Sequence, residues 1–325
     1  MDTTIKATLA IFVLAGSTVA TGPASAQQKF PSKPIRLVVG FAPGSGADAY
    51  ARMIGQKMSE SWAQPVVVDN RPGAGGVLAA AQVAKAAPDG HTLLFGSNFA
   101  ISAALQPNLP YDPFKDFAGV TQIGFGTQVL VVAPALDVKS VKDLIALAKA
   151  QPGKIIFGSP SAGGPTHLSG ARFNLAAGIK VVHVAFKGSP EAMIEVLAGR
   201  THYSVLPLVT PLPYIKDGKL LALAVNTAQR SPVLPDVPAL AETLPEFKRP
   251  ETSTGLLVPA GTPRPILNQI SKEIARILDL PDIKERLQFI GFAPAPTTPE
   301  EYDKILREQI ETLTKLVRDA GLRPK

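Results

Sequence analysis

Four segments of the chain gather glycine and small polar residues where backbone amides could approach a bound anion. The first is Phe41-Ala42-Pro43-Gly44-Ser45-Gly46-Ala47-Asp48 and the second is Gly96-Ser97-Asn98. The third runs Gly158-Ser159-Pro160-Ser161-Ala162-Gly163-Gly164-Pro165-Thr166-His167, and the fourth is Phe186-Lys187-Gly188-Ser189. Missing side chains let N–H groups reach a ligand. A helix opening directly after such a loop adds a dipole that favours negative charge. Any one of these loops could be an ordinary tight turn. Four on one inferred sheet edge favour an anion site. Asp48 is expected to be an N-cap whose carboxylate ties the first loop to its helix.

Two catalytic alternatives arise from the same residues. Ser161 and His167 could form a hydrolase pair. The nucleophile elbow G-x-S-x-G is incomplete, however, because Ser159 stands where its first glycine belongs. No acid is placed by sequence to orient His167. Gly44-x-Gly46-x-x-Ala49 follows a strand and opens a helix, which outlines a dinucleotide fingerprint. Gly40-Phe41-Ala42-Pro43 intervenes where the strand should run straight into the first glycine. Both alternatives rank below ligand capture.

Composition narrows the choice. There is no cysteine, so disulfides, thiolate nucleophiles and Cys-ligated zinc are excluded. The four histidines, at 91, 167, 183 and 202, have no metal-ligand spacing. The net charge is +7, but Lys and Arg are scattered and aromatics make up only 6%. Nucleic-acid binding, which clusters basic charge, is not expected. A general positive potential raises the encounter rate of anionic ligands.

These loops need elements to hold them, and strands alternate with helices along the chain. Strands are expected at 35–39, 65–68, 92–96, 129–133, 155–158, 181–185, 220–225 and 256–258. Helices are expected at 48–61, 76–86, 141–150, 166–177, 190–198, 265–278 and 300–320. The alternation implies an α/β architecture with mainly parallel sheets, whose ligand edge is at the carboxyl ends of the strands. The Pro-rich stretch 231–250 is expected to be an ordered surface connection near a lobe boundary.

Residues 1–26 have the features of a secretory signal: Lys6, an apolar run over 7–20, and Ala24-Ser25-Ala26 as a cleavage site. That run is shorter than the ~20 apolar residues a spanning helix needs. Export to the periplasm with cleavage after Ala26 is expected. The remainder exceeds the ~250 residues beyond which chains split their core. The final helices have no sheet of their own and must return to the first lobe. That gives lobe one as 27–127 with 254–325, lobe two as 128–253, and two crossings that form a hinge. A cleft between lobes is a usual ligand site.

Read in order, FPSKPIRLVVGFAPGSGAD, VVVDNRPGAGG, AKAAPDGHTLLFGS, LPYDPFKDFAGVTQI, GKIIFGSPSAGGPTHLSGARF, VHVAFKGSPEAMIEVLAGR, GKLLALAVNTAQRSPVLPDVPALAE and GLLVPAGTPRPI resemble the Bug-type substrate-binding proteins, receptors of tripartite tricarboxylate transporters. The resemblance spans the chain after the signal. It implies a two-lobed type II periplasmic-binding-protein (Venus-flytrap) fold, no cofactor and no catalysis. It also implies a small organic acid held largely by backbone amides and water. The partner it implies is a multi-span membrane transporter, and the receptor itself is expected to be a monomer. Ser45 and Ala47 replace the usual second glycine and threonine of the first loop. Ser161 and Gly164 stand where the third loop usually has Gly and Thr. His202 and Leu206 occupy positions that commonly carry Asp, and Phe186 stands in place of Tyr. The expected ligand contacts are 41–48, Ser97 and Asn98 from lobe one, with Ser159, Ser161, Ala162, Gly163, Gly164, Thr166, His167, Phe186 and Leu206 from lobe two. An apolar Leu206 with no acidic partner for an ammonium argues for an organic acid without a free amine.

Overall fold

The computed structural model describes residues 30–248 and 253–322. The expected secretory segment and the end of the 231–250 stretch lie outside the described residues. The first lobe opens with β1 (Ile35–Val39), a run of buried apolar residues. It continues through α1 (Gly46–Trp62), β2 (Val66–Asn70), α2 (Val77–Ala84), β3 (Thr92–Phe95), α3 (Phe99–Leu105) and β4 (Phe117–Gly126). Only Thr127 separates β4 from β5 (Gln128–Val132), which belongs to the second sheet. The second lobe then adds α4 (Val141–Ala150), β6 (Ile156–Ser159), α5 (Pro165–Ala177), β7 (Val182–Ala185) and α6 (Ser189–Leu197). It is completed by β8 (Tyr203–Pro207), α7 (Leu212–Lys216) and β9 (Leu221–Val225). The chain returns as β10 (Thr254–Pro259), α8 (Arg264–Asp279), α9 (Pro281–Phe289), β11 (Phe292–Pro294) and α10 (Pro299–Asp319).

The two sheets have strand orders β11-β4-β10-β3-β1-β2 and β7-β6-β8-β5-β9. Both are mixed, which corrects the expectation of mainly parallel sheets. β1 pairs in parallel with β2 and β3, and β6 with β7 and β8. β10 and β5 are antiparallel to their neighbours. The reason lies in the connectivity. A strand that enters a lobe from the cleft runs opposite to one whose carboxyl end reaches the cleft.

Each lobe has apolar clusters on both faces of its sheet. α10 covers the first lobe with Tyr302, Leu306, Ile310, Leu313 and Val317, after a capping box of Thr298 and Glu301. Tyr302 is fully buried against the sheet. Gly255 makes room for it, since a Cβ there would come within 2.2 Å of the phenol oxygen. Leu168 of α5 joins the same buried cluster as Phe99, Ala104 and Leu306, so the lobes meet on that side.

Candidate functional site

A cavity of about 290 Å³ opens between the lobes at the strand ends. From lobe one it is lined by Phe41, Ser45, Gly46, Ala47, Ser97 and Asn98, and from lobe two by Ser161 and Thr166. All eight are residues that the loop pattern singles out. Further lining comes from Tyr50, from Gly126, Thr127 and Gln128 at the crossing, and from Ser189, Asn226, Ser253 and Thr254. Among the described lining residues none carries a formal charge. Helices α1, α5 and α6 all begin on the lining, at Gly46, Pro165 and Ser189. An anion here would meet helix N-termini and hydroxyls.

Asp48 holds the first loop. Gly44, with φ +80°, donates its N–H to Asp48 Oδ2 at 2.9 Å. Arg52 Nε donates to the same oxygen at 3.0 Å, and Asn70 Nδ2 to Oδ1 at 3.0 Å. Asn70 also donates to the Phe41 carbonyl, so β2 is stitched to the loop. The Arg52 guanidinium holds the Asp48 carboxyl below the usual carboxylate range; the Gly44 amide and Asn70 assist and burial opposes. The N-cap is Ser45, whose Oγ accepts from Asp48 N, and Asp48 sits three residues into the cap. This corrects the expected capping role. Asp48 does tie loop to helix, but from inside the first turn, because the turn at Gly44 brings its amide back over the carboxylate.

The third loop is held by histidine. Gly163, with φ +69°, donates its N–H to His167 Nδ1 at 2.9 Å. His167 stacks on His183 with centroids 3.7 Å apart and planes 10° from parallel. Ser159 Oγ donates to the Ser161 carbonyl at 3.0 Å and therefore accepts from His183 Nε2 at 2.8 Å. Burial, with the neighbouring His183, pushes the His167 pKa down to about 4, and burial lowers His183 too. Both rings are thus neutral at neutral pH. His167 Nδ1 is already taken as an acceptor, so it has no lone pair there to activate Ser161. The hydrolase geometry is absent.

The remaining expected residues do not line the cavity. Ala42, Gly44 and Ala162 are exposed, and Ser159, Gly164 and His167 are buried beneath their loop. Phe186 is half-buried against the second lobe's apolar cluster. Leu206 is fully buried in that cluster with Val129 and Val131, so amine exclusion cannot rest on it. His202 Nδ1 accepts from Ile156 N at 3.0 Å, a bond internal to the lobe. The lining residues that loop reading misses, Gln128, Asn226, Ser253 and Thr254, flank β5, β9 and β10. Their only sequence signal is a polar residue at the end of an apolar strand.

The model of the tripartite tricarboxylate transporter family receptor matches residues 50–322. The chain belongs to that family. BugT of Bordetella pertussis (strain Tohama I) is 33% identical over 327 residues, covering 99% of each chain. An R. palustris protein solved with adipate superposes with a TM-score of 0.79 at 31% identity, covering 91% of this chain and 100% of that one. The periplasmic binding protein BugD gives 0.76 at 27%, covering 91% and 100%. The protein is thus an extracytoplasmic solute-binding receptor with a two-lobed type II fold, and not an enzyme.

Proposed function

We propose that this receptor captures a small organic carboxylate without a free amine and presents it, as a monomer, to a multi-span membrane transporter. The observation that carries the ligand class is the cleft onto which α1 and α5 both open, whose described lining residues carry no formal charge. A carboxylate there is held by amides at Gly46, Ala47 and Thr166 with the Ser161 hydroxyl, and the described lining residues offer an ammonium no counter-ion. Hydrogen bonds to an ionised group are worth ~1.5–3 kcal/mol each. Three or four, less the cost of closure, suffice for the ~8 kcal/mol of a micromolar site. The adipate-bound relative supports the same class.

The lobes are 27–127 with 254–325, and 128–253, with the hinge at Thr127 and before Thr254. The secretory segment is removed after Ala26 in transit. A thermal-shift panel that pairs each acid with its amino analogue, succinate with aspartate for example, tests the ligand class. A ligand at a hundred times its dissociation constant adds ~2.7 kcal/mol of stability. Acids are expected to shift the transition and amino acids are not. A largest shift from aspartate or glutamate would overturn amine exclusion. Native mass spectrometry of co-purified ligand identifies the compound, and X-ray scattering with that ligand is expected to show a smaller radius of gyration.

A further inference from the structure

Resting on the carboxylate assignment, we infer that the ligand is an aromatic carboxylate. Its ring lies between an aromatic wall on the first lobe and a proline wall on the second, and Tyr50 is the residue that selects it. Among the described lining residues the aromatic side chains are Phe41 and Tyr50, both from the first lobe. The prolines are Pro160, Pro165 and Pro207, all from the second. Each of the five is only partly buried and lines the cavity with the surface that remains. The cleft thus has a wall of rings on each side, next to the helix ends that hold the carboxylate.

Tyr50 lies one turn into α1, on the same helix face as Gly46. A Cβ at Gly46 would come 3.9 Å from Tyr50 Cε2. The glycine therefore leaves the ring uncovered beside the first amides of the helix, and a carboxylate held there lays its body along the phenol. Buried Phe292 backs the ring, with centroids 4.8 Å apart and planes at 45°. Phe292 pairs in turn with Gly126, where the chain leaves the first lobe. Phe41 and Tyr50 both pack on the first lobe's core behind them, so neither ring swings freely. Burial pushes the Tyr50 phenol up to about 12, which keeps it neutral beside an anion. Proline has no rotamers to lose and the aromatic rings are already held, so the slot is preorganised for a planar body. A flexible chain such as adipate must freeze its torsions to fit. An aromatic ring also makes offset or edge-on contacts with Phe41 and Tyr50 that a saturated ring of similar size lacks.

Calorimetry on the purified receptor with matched acids of increasing length tests this: benzoate and cyclohexanecarboxylate, phenylacetate and cyclohexylacetate, phenylpropionate and cyclohexylpropionate, with adipate as the flexible comparison. In the best-fitting pair the aromatic acid is expected to bind about tenfold more tightly than its saturated counterpart, which is what two aromatic contacts add beyond buried area. Tyr50→Leu should cut that ratio to about threefold, the share left to Phe41. Tyr50→Phe, which keeps the ring, should preserve it. If the leucine variant does not fold, Tyr50→Met serves in its place. A saturated acid or adipate that binds as tightly as the best aromatic acid overturns the inference and leaves the carboxylate assignment standing. So does a ratio that Tyr50→Leu leaves unchanged or that Tyr50→Phe abolishes, since the ring of Tyr50 is then not what selects. Binding by none of these acids would instead remove the carboxylate assignment itself.

Discussion

In the first lobe Gly44 donates its amide to Asp48, and in the second Gly163 donates its amide to His167; each glycine is left-handed and each acceptor sits four residues on. The two loops share a backbone solution and differ in the chemistry of the acceptor. Asp48 is an ionised carboxylate shared among Gly44, Arg52 and Asn70. His167 is a neutral ring that serves Gly163 alone and leans on His183. A carboxylate keeps accepting down to low pH. An imidazole stops accepting at Nδ1 once it is protonated there. The two sides of one ligand site therefore yield to acid in different ranges.

Removing the carboxylate tests the stronger latch. Asp48→Ala strips the partners from the Gly44 amide, the Asn70 amide and Arg52, and is expected to cost about 3 kcal/mol. Urea unfolding at neutral pH measures it. Asp48→Asn, which keeps an acceptor, should cost less. A loss under ~1 kcal/mol would show that Ser45 and Asn70 hold the loop unaided.

Acid separates the two latches. His167 has a folded pKa of about 4 against an ordinary value near 6.5, so between them the unfolded chain binds the proton and the folded chain does not. Stability is expected to fall by roughly 3 kcal/mol as pH drops from about 6.5 through 4 and then to level off below the folded value. His183, also lowered by burial, acts in the same sense. The Asp48 contribution is present above the ordinary carboxylate range and is lost only as pH falls through its depressed value. Denaturant midpoints taken stepwise in pH, for the wild type and for His167→Gln, check this. An unchanged slope in the variant would assign the acid sensitivity elsewhere.

Smaller effects refine the picture. Ser159→Ala leaves His183 Nε2 without its acceptor and is expected to cost about 1.5 kcal/mol and weaken ligand binding through the Ser161 loop. Ser45→Ala removes the α1 cap and is expected to cost about 1 kcal/mol. Thermal unfolding in parallel with calorimetry separates the two contributions in each case.

The first loop was legible because glycine, proline and serine punctuate it between an apolar strand and an amphipathic helix. The imidazole latch was not, since His183 lies on β7, separated from His167 by the body of α5 and brought back by sheet pairing. β4 escaped notice because it is buried on both faces, and Gly119, Gly124 and Gly126 blur any alternation of polar and apolar residues. β8 is short and equally buried, so Leu206 read as a ligand wall when it is core. Gln128 and Asn226 carry no motif. Their place follows from strand order, which only the tertiary fold fixes.

The position of β10 has a consequence for biogenesis. It sits between β4 and β3 in the first sheet, yet it is made only after the whole of the second lobe. Until the chain beyond Pro259 is available, β3 and β4 lack the partner that joins them, and Gly255 cannot receive Tyr302. The second lobe is contiguous and can close early, whereas the first must wait for pairings of long sequence separation, which form slowly. A polypeptide whose first lobe cannot lock before its carboxyl-terminal segment arrives keeps that lobe pliable until its synthesis is nearly complete.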